Sequence, residues 1–114
     1  FTTCCCALFP AAGPARVASA GHPAPFVDGV EADLPPALPL GVSAEAEYDG
    51  QEVAGDSFTF LSDGVIEAAN ARGELFGFDR AREIAARSAA AIAEAAKAWG
   101  QNDDITVVTV RRMS

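Results

Sequence analysis

The chain has 114 residues, a length that suits a single domain, and half of them are hydrophobic, which favours a folded globular protein over a disordered one. Its 16 acidic and 8 basic residues give a formal net charge of −8 at pH 7. This charge disfavours nucleic acid or anionic lipid as a partner, because both need a basic surface. No segment approaches the roughly 18 consecutive apolar residues of a membrane-spanning helix, so we expect no membrane span.

Several segments of the sequence are typical of β-strands. Runs rich in β-branched, aromatic and small apolar residues are bounded by Gly, Pro, Asn or Asp, which is typical of strands separated by turns. The predicted strands lie at residues 2–9, 16–20, 47–53, 56–61 and 104–110.

Turns and loops between these strands are also marked. The first two strands form a plausible hairpin, and the pair Asp28-Gly29 predicts a second, tight hairpin turn. Residues 21–27 stay extended, because each proline holds the residue before it out of helical space. The Pro-rich segment 34–42 predicts an irregular loop.

One long helix is predicted at residues 79–99, which makes the chain an α+β protein. Asp79 suits its N-cap, Gly100 suits its end, and Glu83 and Arg87 are spaced for a surface ion pair. Apolar or small residues recur at three- and four-residue steps and define one buried face. They are Ala81, Ile84, Ala85, Ser88, Ala91, Ile92, Ala95, Ala96 and Trp99.

Three cysteines are consecutive, at Cys4, Cys5 and Cys6. This spacing fits neither a zinc knuckle nor a disulfide framework, and their number is odd. We interpret them as small apolar residues of a strand, kept reduced in a cytoplasm.

Two acidic turns flank predicted strands. The first acidic turn, residues 62–64 (Ser-Asp-Gly), follows a strand, and the second acidic turn, residues 102–104 (Asn-Asp-Asp), precedes one. If these strands pair antiparallel, Asp63 and Asp103 meet at one edge of the sheet. Two converging carboxylates repel each other unless a cation or proton lies between them, and hard oxygen ligands suit Mg²⁺ or Mn²⁺.

Each acidic turn taken alone also fits an ordinary solvated turn, in which Asp bonds to its own backbone and Gly takes a positive φ. A plain Mg²⁺- or Ca²⁺-binding regulatory domain would retain the carboxylates as well. The residue pattern by itself leaves these alternatives open.

Three segments occur here in one order: 20–27 (AGHPAPFV), 58–77 (FTFLSDGVIEAANARGELFG) and 102–112 (NDDITVVTVRR). Together with the Pro-Leu-Gly-Val loop at 39–42, this combination resembles the C-terminal half of a bacterial PPM-type metal-dependent serine/threonine protein phosphatase of the SpoIIE/RsbU-like branch. The resemblance implies an antiparallel β-sandwich flanked by helices. It also implies that residues 1–114 form the C-terminal portion of one such domain, whose N-terminal part is absent.

The resemblance also implies an activity and a metal centre. In that family two Mn²⁺ or Mg²⁺ ions share a bridging water that attacks the phosphorus of phosphoserine or phosphothreonine. Asp63 and Asp103 match the family's metal ligands. Asp104 matches a position beside them, where a carboxylate can orient a bound water.

Three further positions match the family pattern with weaker implications. Gly64 permits the sharp turn that exposes the aspartate before it. Glu67 lies four residues past Asp63 and either orients a metal-bound water or complements the start of a helix. His22 is either a proton donor to the leaving group or a histidine held by a structural hydrogen bond.

The sequence departs from the family in its missing first half. The family's Asp-x-x-Gly-His-Gly motif, whose Asp bridges both ions, does not occur here, and His22 is the only histidine. We therefore expect the isolated chain to be inactive or a poor enzyme. The segment before the second acidic turn also shows one helix where many relatives have two. A non-catalytic protein-interaction module that retains the phosphatase fold is the alternative hypothesis.

For the parent protein, the resemblance implies a cytoplasmic bacterial phosphatase in signal transduction and sigma factor regulation. Its substrate would be a phosphoprotein of the anti-sigma-factor antagonist kind. A half-domain would also leave apolar residues such as Phe58, Phe60 and Val107 uncovered, so we predict self-association of the isolated chain.

Overall fold

The computed structural model describes residues 2–113 and contains seven strands and three helices in that range. They are, in chain order, β1 (Cys4–Leu8), β2 (Ala15–Ala20), β3 (Phe26–Val27), β4 (Val30–Glu31), β5 (Gln51–Val53), β6 (Ser57–Leu61), α1 (Asp63–Ile66), α2 (Gly77–Ile84), α3 (Ala89–Trp99) and β7 (Val107–Arg111). None of these helices is long and apolar enough to cross a membrane. The α+β class is confirmed.

The strands form two antiparallel sheets. One has the order β1-β2-β5 and the other has the order β4-β3-β6-β7. The predicted β1–β2 hairpin is confirmed, with Cys4 opposite Ala20. The tight turn at Asp28-Gly29 is also confirmed, since both residues have positive φ (50° and 83°) and the strands on either side pair directly.

Strands β5 and β6 follow each other in the chain but belong to different sheets. Strand β5 extends the first sheet beside β2, and β6 lies between β3 and β7 in the second sheet. Their short connection therefore crosses from one layer to the other. The Pro-rich segment 34–42 forms no strand beyond a single bridge between Leu40 and Thr2.

The second sheet is covered on both faces. One face carries Val27 and Phe58, which pack with Ala15 of the first sheet in an apolar layer between the sheets. The other face carries Phe26 and Leu61, which pack against the helices. Alternation along the strands separates these two sets, so the architecture is sheet on sheet with helices on one outer face. The predicted sandwich flanked by helices is confirmed.

The prediction of Phe58 as an uncovered residue is wrong, because its side chain is 0% exposed. The first sheet, supplied by this same chain, covers it. Phe60 and Val107 are partly buried. Self-association, which was argued from these residues, stays a prediction.

The prediction of a single helix at residues 79–99 is wrong, because the chain forms α2 and α3 with a break at residues 85–88. Ser88 has an extended backbone, and its hydroxyl accepts a hydrogen bond from the Ala91 N–H (3.1 Å), so it caps a new helix. The Ala85 carbonyl accepts the buried Thr59 hydroxyl (3.3 Å), which ties the break to β6. The buried face otherwise matches the prediction, but Ser88 is exposed.

Of the two predicted helix ends, only the C-terminal one is correct. Gly100 terminates α3, as expected. Asp79 is not an N-cap; it lies in the first turn of α2, where its carboxylate pairs with Arg82 (2.8 Å). Glu83 and Arg87 form no ion pair among the described residues, because α2 ends at Ile84 and the helical spacing is lost.

Candidate metal centre

Pairing of β6 with β7 brings the two acidic turns to the same end of the second sheet. The strands are antiparallel, with Leu61 opposite Val107, so the exit of β6 lies beside the entry to β7. Asp63 follows Leu61 by two residues, and Asp103 precedes Val107 by four. The antiparallel arrangement assumed from the sequence is therefore confirmed.

Ser62 connects the first acidic turn to residues 104–106 through both its backbone and its side chain. Its N–H donates to the Thr106 carbonyl (2.9 Å), and its hydroxyl accepts the Thr106 N–H (2.9 Å). The same hydroxyl lies 3.5 Å from the Asp104 carbonyl oxygen. Although Ser62 is the N-cap residue of α1, its side chain does not cap that helix. The hydroxyl instead fixes the first acidic turn to the segment that follows the second.

Gly64 permits a close approach of the two backbones. It is buried, and a Cβ atom placed on it would lie 1.9 Å from the Asp104 carbonyl oxygen and 2.9 Å from the carbonyl carbon. Real Cβ atoms do not come so close to a carbonyl, so a side chain at this position would push the turns apart. Glycine is therefore required at this position because it has no side chain, and not because the backbone has a positive φ.

The carboxylates of the two turns differ in exposure. Asp63 is half-buried at the start of α1, whereas Asp103 and Asp104 are exposed. The Asp103 carboxylate accepts a hydrogen bond from the Asp104 N–H (Oδ1–N 2.7 Å), which orients it at the turn. All three carboxylates are accessible to solvent and therefore to an incoming cation.

Two weaker candidates, Glu67 and His22, lie near this end of the sheet. The Glu67 N–H donates to the Asp63 carbonyl (2.8 Å), so Glu67 stands one turn after Asp63 with an exposed side chain. His22 precedes β3, which runs antiparallel to β6, so it belongs to the same end. Its backbone N–H and carbonyl both bond to the Ser19 hydroxyl (3.3 and 2.7 Å). The two cavities lined by His22 include none of the three aspartates.

The donor set suits a hard divalent cation but is small. Carboxylate oxygens are the ligands that Mg²⁺ and Mn²⁺ prefer. The close backbone contact at Gly64 brings together the two acidic turns that carry these carboxylates. Within residues 2–113, no three His, Cys, Asp or Glu side chains gather into a possible metal site. The aspartates therefore fit part of a centre rather than a closed cage.

The bridging role of Ser62 was not predicted from the sequence. Its hydrogen bond to Thr106 spans 44 residues, and nothing in the local pattern indicates such a partner. The only available signal was its place directly before Asp63, which is equally typical of a helix N-cap.

Replacing Ser62 with Ala tests the bridge. We expect Ser62→Ala to lower the free energy of unfolding by about 1 kcal/mol, because the Thr106 N–H loses its side-chain acceptor. Urea denaturation measures the change. Ser62→Thr keeps the oxygen and should retain most of the stability, and Ser57→Ala, in the adjoining strand β6, is a matched control. Equal losses from Ser62→Ala and Ser57→Ala would contradict the bridge.

Solved structures share this fold, including the following two. One contains the RsbU and RsbW domains of Rv1364c from Mycobacterium tuberculosis, with 28% sequence identity, a TM-score of 0.62, and alignment over 96% of this chain and 36% of that one. The other is the phosphatase domain of the cell fate determinant SpoIIE from Bacillus subtilis, Mn presoaked, with 22% identity, a TM-score of 0.61, and alignment over 96% and 56%. The fold is thus that of a bacterial PPM-type phosphatase domain.

A family model described as "Stage II sporulation protein E (SpoIIE)" matches residues 1–113. The chain belongs to this family, which confirms the resemblance drawn from its motifs. No curated protein matches it. The chain spans about a third of the M. tuberculosis structure and just over half of the B. subtilis phosphatase domain.

Proposed function

We propose that these residues form the C-terminal part of a metal-dependent phosphatase domain that hydrolyses phosphoserine or phosphothreonine on a signalling protein. The observation that supports this most is the junction of the two acidic turns. In a chain that belongs to the SpoIIE family, Asp63 and Asp103 lie at one end of one sheet, joined through Ser62. An ordinary solvated turn needs no such connection to a second acidic turn 40 residues away.

In this proposal Asp63 and Asp103 hold Mn²⁺ or Mg²⁺. When bound, these ions would lower the pKa of a water and neutralise charge on the phosphoryl oxygens. Asp104 orients water beside the ligands, Gly64 keeps the two turns in contact, and Glu67 extends the acidic surface by one turn. His22 stands at the same end of the sandwich as a weaker candidate for a proton donor.

A signalling phosphoprotein is the proposed substrate class. The M. tuberculosis protein carries an RsbW domain together with its RsbU domain, which favours a substrate from the same signalling system. We propose an anti-sigma-factor antagonist as that substrate and sigma factor regulation as the role. The cysteines of the chain are free thiols, which is compatible with the reducing cytoplasm of a bacterium.

The chain by itself would hold only part of the centre, with the remaining ligands on an N-terminal portion of the domain. Two carboxylates bind Mg²⁺ weakly, because this ion gives up its hydration shell reluctantly. The small donor set among the described residues favours this division. The same feature also fits the second candidate, a non-catalytic interaction module with the phosphatase fold.

Mn²⁺-dependent hydrolysis of an aryl phosphate distinguishes the two candidates. We expect the complete domain to be active and its Asp63→Asn variant to lose at least about 100-fold in rate, since a metal ligand is removed. Asp33→Asn, at an exposed acid directly before the Pro-rich segment, is the matched control and should not change the rate. The 114-residue chain alone should show little or no activity.

Each other outcome has a definite meaning. Full activity of the Asp63→Asn domain would contradict the ligand assignment. Absence of activity from a folded complete domain would favour the interaction module. Activity of the 114-residue chain that disappears in Asp63→Asn would support the site but overturn the proposed division of the centre.

A further inference from the structure

Strand β1 carries a pair of thiols that the proposed phosphatase chemistry does not use. Cys4 and Cys6 alternate along the strand and therefore project from the same face of the sheet. Their Sγ atoms are 3.7 Å apart. Strand β1 is at the edge of its sheet, Cys6 is exposed and Cys4 is half-buried, so an ion from solvent can reach the pair.

The surroundings of the pair leave room for an ion. The residues opposite Cys4 and Cys6 on β2 are Ala20 and Ala18, whose small side chains leave the face open. A shallow cavity of about 170 Å³ forms there, with Leu40 and Tyr48 on its far side. The Tyr48 hydroxyl donates to the Leu38 carbonyl (2.7 Å), so it is already engaged and does not compete for the thiols.

The separation of the sulfur atoms matches the bite of one tetrahedral ion. With metal–sulfur bonds of about 2.3 Å and a tetrahedral angle, two thiolates on one Zn²⁺ lie about 3.8 Å apart. The observed 3.7 Å needs almost no rearrangement. A disulfide, with sulfur atoms about 2 Å apart, would require both side chains to move.

We propose that Cys4 and Cys6 form a bidentate site for one soft divalent cation of the Zn²⁺ or Cd²⁺ class. On binding, each thiol releases its proton to solvent and forms one metal–sulfur bond, while water or an external donor fills the remaining positions. Soft thiolates select such ions, whereas the aspartates at the acidic turns suit Mn²⁺ and Mg²⁺. The chain would thus discriminate between two kinds of cation at two places.

Cys5 provides an internal control because it differs from its neighbours in direction and environment. It projects from the opposite face of β1 into the cleft between the sheets, where Phe60 and Val108 line the wall. Burial raises the pKa of the Cys5 thiol to about 11, and the hydrogen bond with Cys6 raises the pKa of Cys4 as well. Cys5 is therefore set apart by its direction, since it projects from the other face of the strand and cannot join the pair on one ion.

Titration of the 114-residue chain with Cd²⁺, followed by thiolate-to-metal absorption in the ultraviolet, tests the site. We expect one Cd²⁺ per chain, at least a tenfold loss of affinity in Cys4→Ala and Cys6→Ala, and no change in Cys5→Ala. Asp63→Asn should leave the signal intact, because absorption arises only from sulfur. Circular dichroism establishes that each variant is folded.

Several results would overturn the proposal. These are a wild-type chain without thiolate absorption, a folded Cys6→Ala variant with unchanged binding, and loss of binding in a folded Cys5→Ala variant. A stoichiometry of one Cd²⁺ per two chains would also overturn it, since the ion would then bridge molecules.

Discussion

Gly64→Ala is expected to lower the free energy of unfolding by about 3 kcal/mol, the upper end of the range for overpacking. The new methyl group would lie 1.9 Å from the Asp104 carbonyl oxygen. Backbone forms the obstacle, so no flexible side chain can move aside, and the two acidic turns must separate. Thermal or urea denaturation measures the loss, and Mn²⁺ titration should show weaker binding because the carboxylates part.

Gly50→Ala is the matched control for this substitution. The nearest atom to a Cβ at Gly50 is Arg16 Nε at 3.5 Å, an ordinary van der Waals distance. We expect a change of less than about 1 kcal/mol, since only the entropy of the unfolded chain is affected. If Gly64→Ala were as mild as Gly50→Ala, the close contact between the acidic turns would not exist.

Phe58→Ala is expected to cost about 3–5 kcal/mol, the range for emptying a buried aromatic site. Phe58 is 0% exposed and lies between the two sheets. Its ring meets that of Phe9 edge to face, with centroids 4.9 Å apart. The substitution would remove this contact and open a cavity where the two sheets meet.

Phe78→Ala removes the same side chain from an exposed place. Phe78 lies on α2 and is 42% exposed, so we expect a loss of about 1 kcal/mol or less. Denaturant midpoints of the two variants, measured side by side, separate the effect of losing a buried side chain from the effect of removing any phenylalanine. A loss of the same size at both positions would mean that the sheets do not enclose Phe58.

Strands and tight turns were predictable because their signals are local. The runs of β-branched, aromatic and small apolar residues at 16–20 and 56–61 correspond to strands β2 and β6, and Asp28-Gly29 supplies the positive φ that its turn requires. Which sheet each strand joins was not predictable, since β5 and β6 lie close in the chain but pair with different partners. Pairing depends on contacts between distant segments, which a periodic pattern does not specify.

The helical region shows how tertiary contacts change a periodic pattern. Apolar and small residues recur with a helical period along residues 79–99, yet the first helix ends at Ile84. Ser88 fits the period as a small residue, but its hydroxyl caps α3, and the Thr59 hydroxyl from β6 binds the Ala85 carbonyl. The periodic pattern thus predicted which face is buried, but it did not predict where one helix ends and the next begins.

The candidate site was predictable only in outline. Asp63 and Asp103 were selected by motif, and their shared end of the sheet followed from assuming antiparallel strands, which the register confirms. The connection through Ser62 and the contact at Gly64 involve atoms 40 or more residues apart, so no local signal indicates them. The assignment of the aspartates as metal ligands stays a proposal.

Mn²⁺ affinity of the 114-residue chain, measured by calorimetry with Asp63→Asn, Asp103→Asn and the double variant, tests the central claim most directly. If both carboxylates hold one ion, each single variant should lose at least about tenfold in affinity, and the double variant should lose little more, because the site is already broken. Independent, additive losses would mean two separate weak sites. Unchanged affinity in either single variant would contradict the proposed metal centre.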